Sequence, residues 1–105
     1  MNRTEHLLSC LAEECCEIGQ RVSKALRFGL DEVQPGQGLT NGQRIIEEYN
    51  DLRGVMQMLE DEGILDSSTD YHTLSATMQA KKAKVEKFMR YAAEQGALQG
   101  EGTQS

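Results

Sequence analysis

The chain has 105 residues, with 17 acidic side chains against 11 basic ones and a formal net charge of −6. That length holds one domain, and a thin helical core of this size is often completed by a partner subunit. The negative balance excludes a protein that coats nucleic acid through bulk charge; the lack of any apolar run near ~20 residues excludes a membrane-spanning helix; the absence of Trp, the single Pro and the scarcity of β-branched runs point to an all-α fold.

Taken in chain order, the first helix is expected from about Glu5 to Arg27, with Thr4 as N-cap. Leu7, Leu8, Leu11, Cys15, Ile18, Val22, Ala25 and Leu26 recur at helical spacing and make its apolar stripe. Glu14 falls at the edge of that stripe, Glu17 one step further round, and Glu13 nearly opposite. Phe28 to Leu39 contains Gly29, Pro35, Gly36 and Gly38 and reads as a loop long enough to contact a substrate. Thr40-x-x-Gln43 has the form of a capping box and opens a second helix from about Asn41 to Glu62, stopped by Gly63. Its stripe is Ile45, Tyr49, Leu52, Val55, Met56 and Leu59, with Glu48 at the edge and Asp51 one step outward. Leu65 to Asp70 is a polar turn, and a third helix is expected from about Asp70 to Gln95. Leu74, Met78, Val85, Phe88, Met89 and Ala92 supply its apolar side, and Lys81, Lys82, Lys84, Lys87 and Arg90 make its middle basic. Residues 1–95 are thus expected to form the helical domain and 96–105, polar and Gly-rich, a disordered tail.

The three cysteines, Cys10, Cys15 and Cys16, fall in one helix and are expected to be reduced thiols of a cytoplasmic protein; with His6 and His72 they make no zinc-ligand pattern. MNRTEHLL lacks the long apolar core of a signal peptide. No Walker loop, GxGxxG or Ser-His-Asp set occurs.

The informative feature is the repeated acidic pair, Glu14-x-x-Glu17 and Glu48-x-x-Asp51. Residues three apart share a helix face. Two such helices laid antiparallel bring four carboxylates together beside the core, where unpaired charge is costly. A hard divalent cation with oxygen ligands relieves the repulsion, so the four are expected to hold Mg²⁺, with Mn²⁺ as the alternative. The bland reading is four solvated surface acids. Arg21, Lys24 and Arg27 follow on the same side and suit phosphate contacts; for Arg21 the favoured expectation is instead an intrahelical pair with Glu17.

The stretch EECCEIGQRVSKALRFG, followed by a glycine-bearing loop and TNGQRIIEEYNDLRGVMQML, resembles the MazG-like all-α nucleoside triphosphate pyrophosphohydrolases, whose pattern is ExxE on one helix and ExxD on the next. The resemblance covers about residues 5–62. It implies an antiparallel helical bundle completed by homodimer or homotetramer formation. It implies Mg²⁺ held by Glu14, Glu17, Glu48 and Asp51, and cleavage of a (deoxy)nucleoside triphosphate to the monophosphate and pyrophosphate in nucleotide-pool cleaning or remodelling. The segment between the two motifs, residues 18–47, is longer than in compact family members, and the last third of the chain carries no family motif. Glu17 is assigned as the base that accepts the water's proton, with Lys24, Arg27 and Arg21 on the phosphates. The alternatives are a non-catalytic nucleotide-binding module and a plain helical interaction protein.

Overall fold

Each helix starts where a side chain can take up the free amides of its first turn. A computed structural model describes residues 1–99 of the chain, and these form three α-helices and no strand, so the fold is all-α. Helix α1 spans Arg3–Phe28, α2 spans Asn41–Asp61 and α3 spans Tyr71–Glu94. The N-cap of α1 is Asn2, two residues before the expected Thr4. Asn2 Oδ1 accepts from the Glu5 amide at 2.8 Å and Glu5 Oε1 accepts from the Asn2 amide at 3.1 Å, a reciprocal pair open to Asn but not to Thr4, which has no acid three residues on. The box expected at Thr40 and Gln43 is present in α2. Asp70 caps α3 through the amide of Thr73 at 2.7 Å and its hydroxyl at 2.9 Å, which holds the Asp70 carboxyl below its ordinary range.

The chain divides into two compact units, one running from Met1 to Ser67 and the other starting at Ser68. In the first, α1 and α2 pack antiparallel. The start of α1 meets the end of α2 through a two-bonded ion pair between Arg3 and Glu62, both bonds 2.9 Å, and the end of α1 meets the start of α2 through Asn41. The Nδ2 of Asn41, a buried residue, donates to Gly29 O at 2.9 Å and to Glu32 Oε1 at 2.8 Å, while its backbone amide donates to Glu32 O at 2.9 Å. The first turn of the connecting loop, Gly29 to Glu32, is thereby fastened to α2. Gly29 leaves the helix at φ 101°, in the region that favours glycine.

The packed faces differ from the expected stripes. On α1, Leu7 and Ala25 are buried and Leu11, Glu14, Ile18 and Arg21 half-buried, at alternating spacings of four and three, with Cys10, Glu17 and Lys24, also half-buried, beside them along one flank. Leu8, Cys15, Val22 and Leu26, expected in the stripe, are exposed, Leu26 by 82%. On α2 the matching series is Asn41, Ile45, Glu48, Leu52, Val55 and Leu59, while Tyr49 is exposed. The alternating spacing is the one that keeps a seam facing a partner helix, and it takes Glu14, Arg21 and Glu48 inward in place of the exposed apolar residues. The buried hydrophobic set among the described residues is correspondingly small: Leu7, Ala25 and, fully buried, Leu59.

The second unit is built on α3, which has no buried residue; Leu74, Met78, Val85, Phe88 and Met89 are all exposed. Its C-terminus closes with Gly96 at φ 77° and an Ala97 amide bonded to Ala92 O at 2.9 Å. Most of the expected disordered tail, residues 100–105, lies outside the described residues.

Candidate metal centre

The middle of the α1–α2 interface is acidic. Glu14 from α1 and Glu48 and Asp51 from α2 each bring a carboxylate oxygen to within 4.8 Å of the other two. Glu14 and Glu48 are half-buried and Asp51 is exposed, so the trio opens to solvent along the Asp51 side. The helical phase produces this arrangement. Glu14 and Glu48 occupy seam positions of their own helices, and Asp51, one turn beyond Glu48, sits at the seam's margin.

One oxygen of Glu14, Oε2, is shielded from solvent and has no hydrogen-bond partner. A buried carboxylate oxygen without a donor is unfavourable by itself, and here it faces further negative charge. Burial first, and then Asp51, Glu48, Glu13 and Glu17 in that order, push the Glu14 carboxyl above its ordinary range. The donor set is all hard oxygen, the chemistry that suits Mg²⁺ or Mn²⁺. An orphaned carboxylate oxygen inside an oxygen-only cluster therefore fits a hard divalent cation.

The sequence-assigned residues divide as follows. Glu14, Glu48 and Asp51 come together. Glu17 is half-buried on the flank of α1, and its carboxylate is outside the trio. Lys24 lies on the same flank, two turns further on. Arg27 is exposed at the end of α1, with its guanidinium carbon 5.3 Å from the centre of the Phe28 ring. Arg21 departs from its expected partner: it pairs with Glu48 across the helix interface, Nε to Oε1 at 3.6 Å, and not with Glu17 along α1. Seam positions on two antiparallel helices face each other, whereas Glu17 is on the flank. Asn41, the buried residue that fixes the loop's entry, is marked in the sequence only by its place directly after the Thr40 cap, at the head of the Ile45–Glu48–Leu52 spacing.

No protein-family model matches the chain, and no curated protein and no solved structure is significantly similar to it. No described helix is long and apolar enough to cross a membrane.

Proposed function

We propose that the chain is a divalent-cation-dependent nucleoside triphosphate pyrophosphohydrolase of the MazG-like kind, acting in the cytoplasm on free (deoxy)nucleotides. The observation that carries the reading is the Glu14–Glu48–Asp51 cluster with the partnerless Glu14 Oε2 inside it. Glu14, Glu48 and Asp51 would hold Mg²⁺ or Mn²⁺. When bound, that ion supplies neutralisation of phosphate charge and polarisation of a water. Glu17, beside the cluster but outside the trio, has a carboxylate free to take the proton of the attacking water. The water oxygen bonds to the α-phosphorus, the bond from that phosphorus to the α–β bridging oxygen breaks, and pyrophosphate leaves with the electron pair. Lys24, on the flank with Glu17, and Arg27, beside the loop, offset the charge that accumulates on the leaving group.

Association into a homodimer or homotetramer belongs to the same reading. Its support is the apolar side of α3, exposed along its length, and the charge contrast between the units. Residues 71–94 carry five basic and two acidic side chains, and residues 1–67 carry six basic and thirteen acidic. An apolar face of this extent marks an interaction surface, and a basic helix suits an acidic partner surface.

The test is a panel of canonical and modified nucleoside triphosphates with Mg²⁺, scored for both phosphate products, with sedimentation to give the oligomeric state. Monophosphate and pyrophosphate in equal amounts, lost in Asp51→Asn, are expected. Orthophosphate from every triphosphate, or tight binding without turnover, overturns the assignment.

A further inference from the structure

Among the described residues, Arg21 is the basic side chain paired into the acidic centre, and its contact there is unusual for an arginine. Its side chain is only 16% exposed and that of Glu48 only 13%. Guanidinium groups in such places normally make bidentate hydrogen bonds to the carboxylate, as Arg3 does to Glu62. Arg21 does not. Its Nε stands 3.6 Å from Glu48 Oε1, beyond hydrogen-bond range, and that same shielded Nε has no acceptor at all. Arg21 therefore gives Glu48 charge without a directional bond.

A contact made of charge alone is one that a divalent cation can replace. The three carboxylates carry three negative charges when ionised, and Arg21 reduces the total to two. A cation entering the trio supplies more charge at a shorter distance, with direct oxygen ligation. It also meets repulsion from the guanidinium that arrived first.

We infer that Arg21 is the resident counter-charge of the acidic centre: it stabilises Glu48 between α1 and α2 while the centre holds no divalent cation, and it lowers the centre's affinity for one. Arg21 is thus a positioning residue that acts through Glu48. This inference rests on the reading of the trio as a cation site. It makes the cation-free chain a folded state in its own right, with a cation affinity set by competition.

The test uses the full chain and Mn²⁺ alone, with binding followed by calorimetry and unfolding followed by thermal melts in chelator and at saturating Mn²⁺. Arg21→Gln and Arg21→Met both remove the charge, and Arg21→Met keeps an apolar stem in case the first variant folds poorly. Each is expected to bind Mn²⁺ roughly tenfold more tightly than the wild type. Each should also melt lower than the wild type in chelator, with that deficit closed by saturating Mn²⁺. Arg21→Lys keeps the charge and should bind within about threefold of the wild type. A packing role would give the opposite result: affinity unchanged or weaker, with a melting deficit that persists in Mn²⁺. Either of those results, with wild-type binding intact, overturns the inference alone. Failure of the wild type itself to bind Mn²⁺ overturns the cation site and this inference together.

Discussion

Among the described residues, two ion pairs join α1 to α2 and its C-cap, and they stand in opposite surroundings. At the rim, Arg3 and Glu62 are 69% and 33% exposed and meet through two hydrogen bonds of 2.9 Å. In the middle, Arg21 and Glu48 are 16% and 13% exposed and meet at 3.6 Å without one. Good geometry therefore occurs where charge is worth little, because water screens it. Poor geometry occurs where charge matters most, because the groups are shielded. A pair selected only to hold the helices together would combine shielding with good geometry. The carboxyls record the same contrast. The hydrogen bond from Arg3 holds Glu62 below its ordinary range, while burial and neighbouring acids raise Glu14 above it. The rim pair is satisfied in its geometry but screened by water. The middle keeps unbalanced charge in a place where a stable fold alone gives no reason for it.

Glu14→Gln tests that contrast with the largest effect. It removes one charge from the trio while keeping the shape of the side chain. On the proposed function, Mg²⁺-dependent turnover falls at least about a hundredfold, while thermal melts in chelator move up because the repulsion on Glu48 and Asp51 is relieved. A lower melting temperature would show the middle of the interface to be structural after all. Leu59→Ala is next and acts on the core. Leu59 is wholly shielded, and with only Leu7 and Ala25 as buried hydrophobic companions among the described residues the site has little to collapse with. A loss of about 3 kcal/mol is expected by denaturant titration, with, on the proposed function, cation affinity per folded molecule unchanged. Asn41→Ala follows. It removes the side-chain bonds to Gly29 O and Glu32 Oε1, leaving Gly29 O only the longer bond from the Glu32 amide at 3.4 Å, and should lower stability by about 1–2 kcal/mol. It loosens the first turn of the loop, which the Asn41 and Gly42 amides still hold on Glu32 O and Leu30 O; on the proposed function it should therefore raise KM more than it lowers kcat, as read from steady-state kinetics.

How far the sequence discloses this arrangement depends on the residue. The three helices follow from the Thr40–Gln43 box, from Pro35 with its neighbouring glycines and from the stop at Gly63, all local signals. Of the four carboxylates expected together, Glu14, Glu48 and Asp51 do meet, since Glu48 and Asp51 are one turn apart and Glu14 repeats the position of Glu48, while Glu17 stays outside the trio. The packed face of α1 is harder to read. Apolar residues lie on two adjacent sides of that helix, and a ranking by hydrophobicity places Cys15, Val22 and Leu26 inside with Glu14 and Arg21 at the margin. The spacing Leu7, Leu11, Glu14, Ile18, Arg21, Ala25 has the other answer, but it competes with the chemistry of the residues themselves. Arg21 is the least legible. Its tie to Glu48 depends on the register of two antiparallel helices joined by a loop that Asn41 fastens, and no local pattern carries that register. The nearer acid in sequence, Glu17, is the natural but mistaken partner.

The smallest effect separates rim from middle by pH. Glu62 has a folded value below its unfolded one, so its contribution is present above the ordinary carboxylate range and is lost as pH falls through the lowered value. Glu14 has a folded value above its unfolded one, so its contribution is present below the ordinary range and is lost as pH rises through the raised value. Glu62→Gln should therefore flatten the acid side of the stability curve in chelator, with only a slight loss near neutrality that shrinks further in high salt. Glu14→Gln should flatten the opposite side, above the ordinary carboxylate range, and salt should change that effect less because the Glu14 oxygen is shielded. Melting temperatures across that range at two salt concentrations read both limbs at once. If the two variants flatten the same limb, rim and middle do not differ in the way their geometry says. If they flatten opposite limbs, two carboxylates in one small hairpin titrate against each other's effect on stability, which places the stored repulsion at Glu14 and not at the edge of the fold.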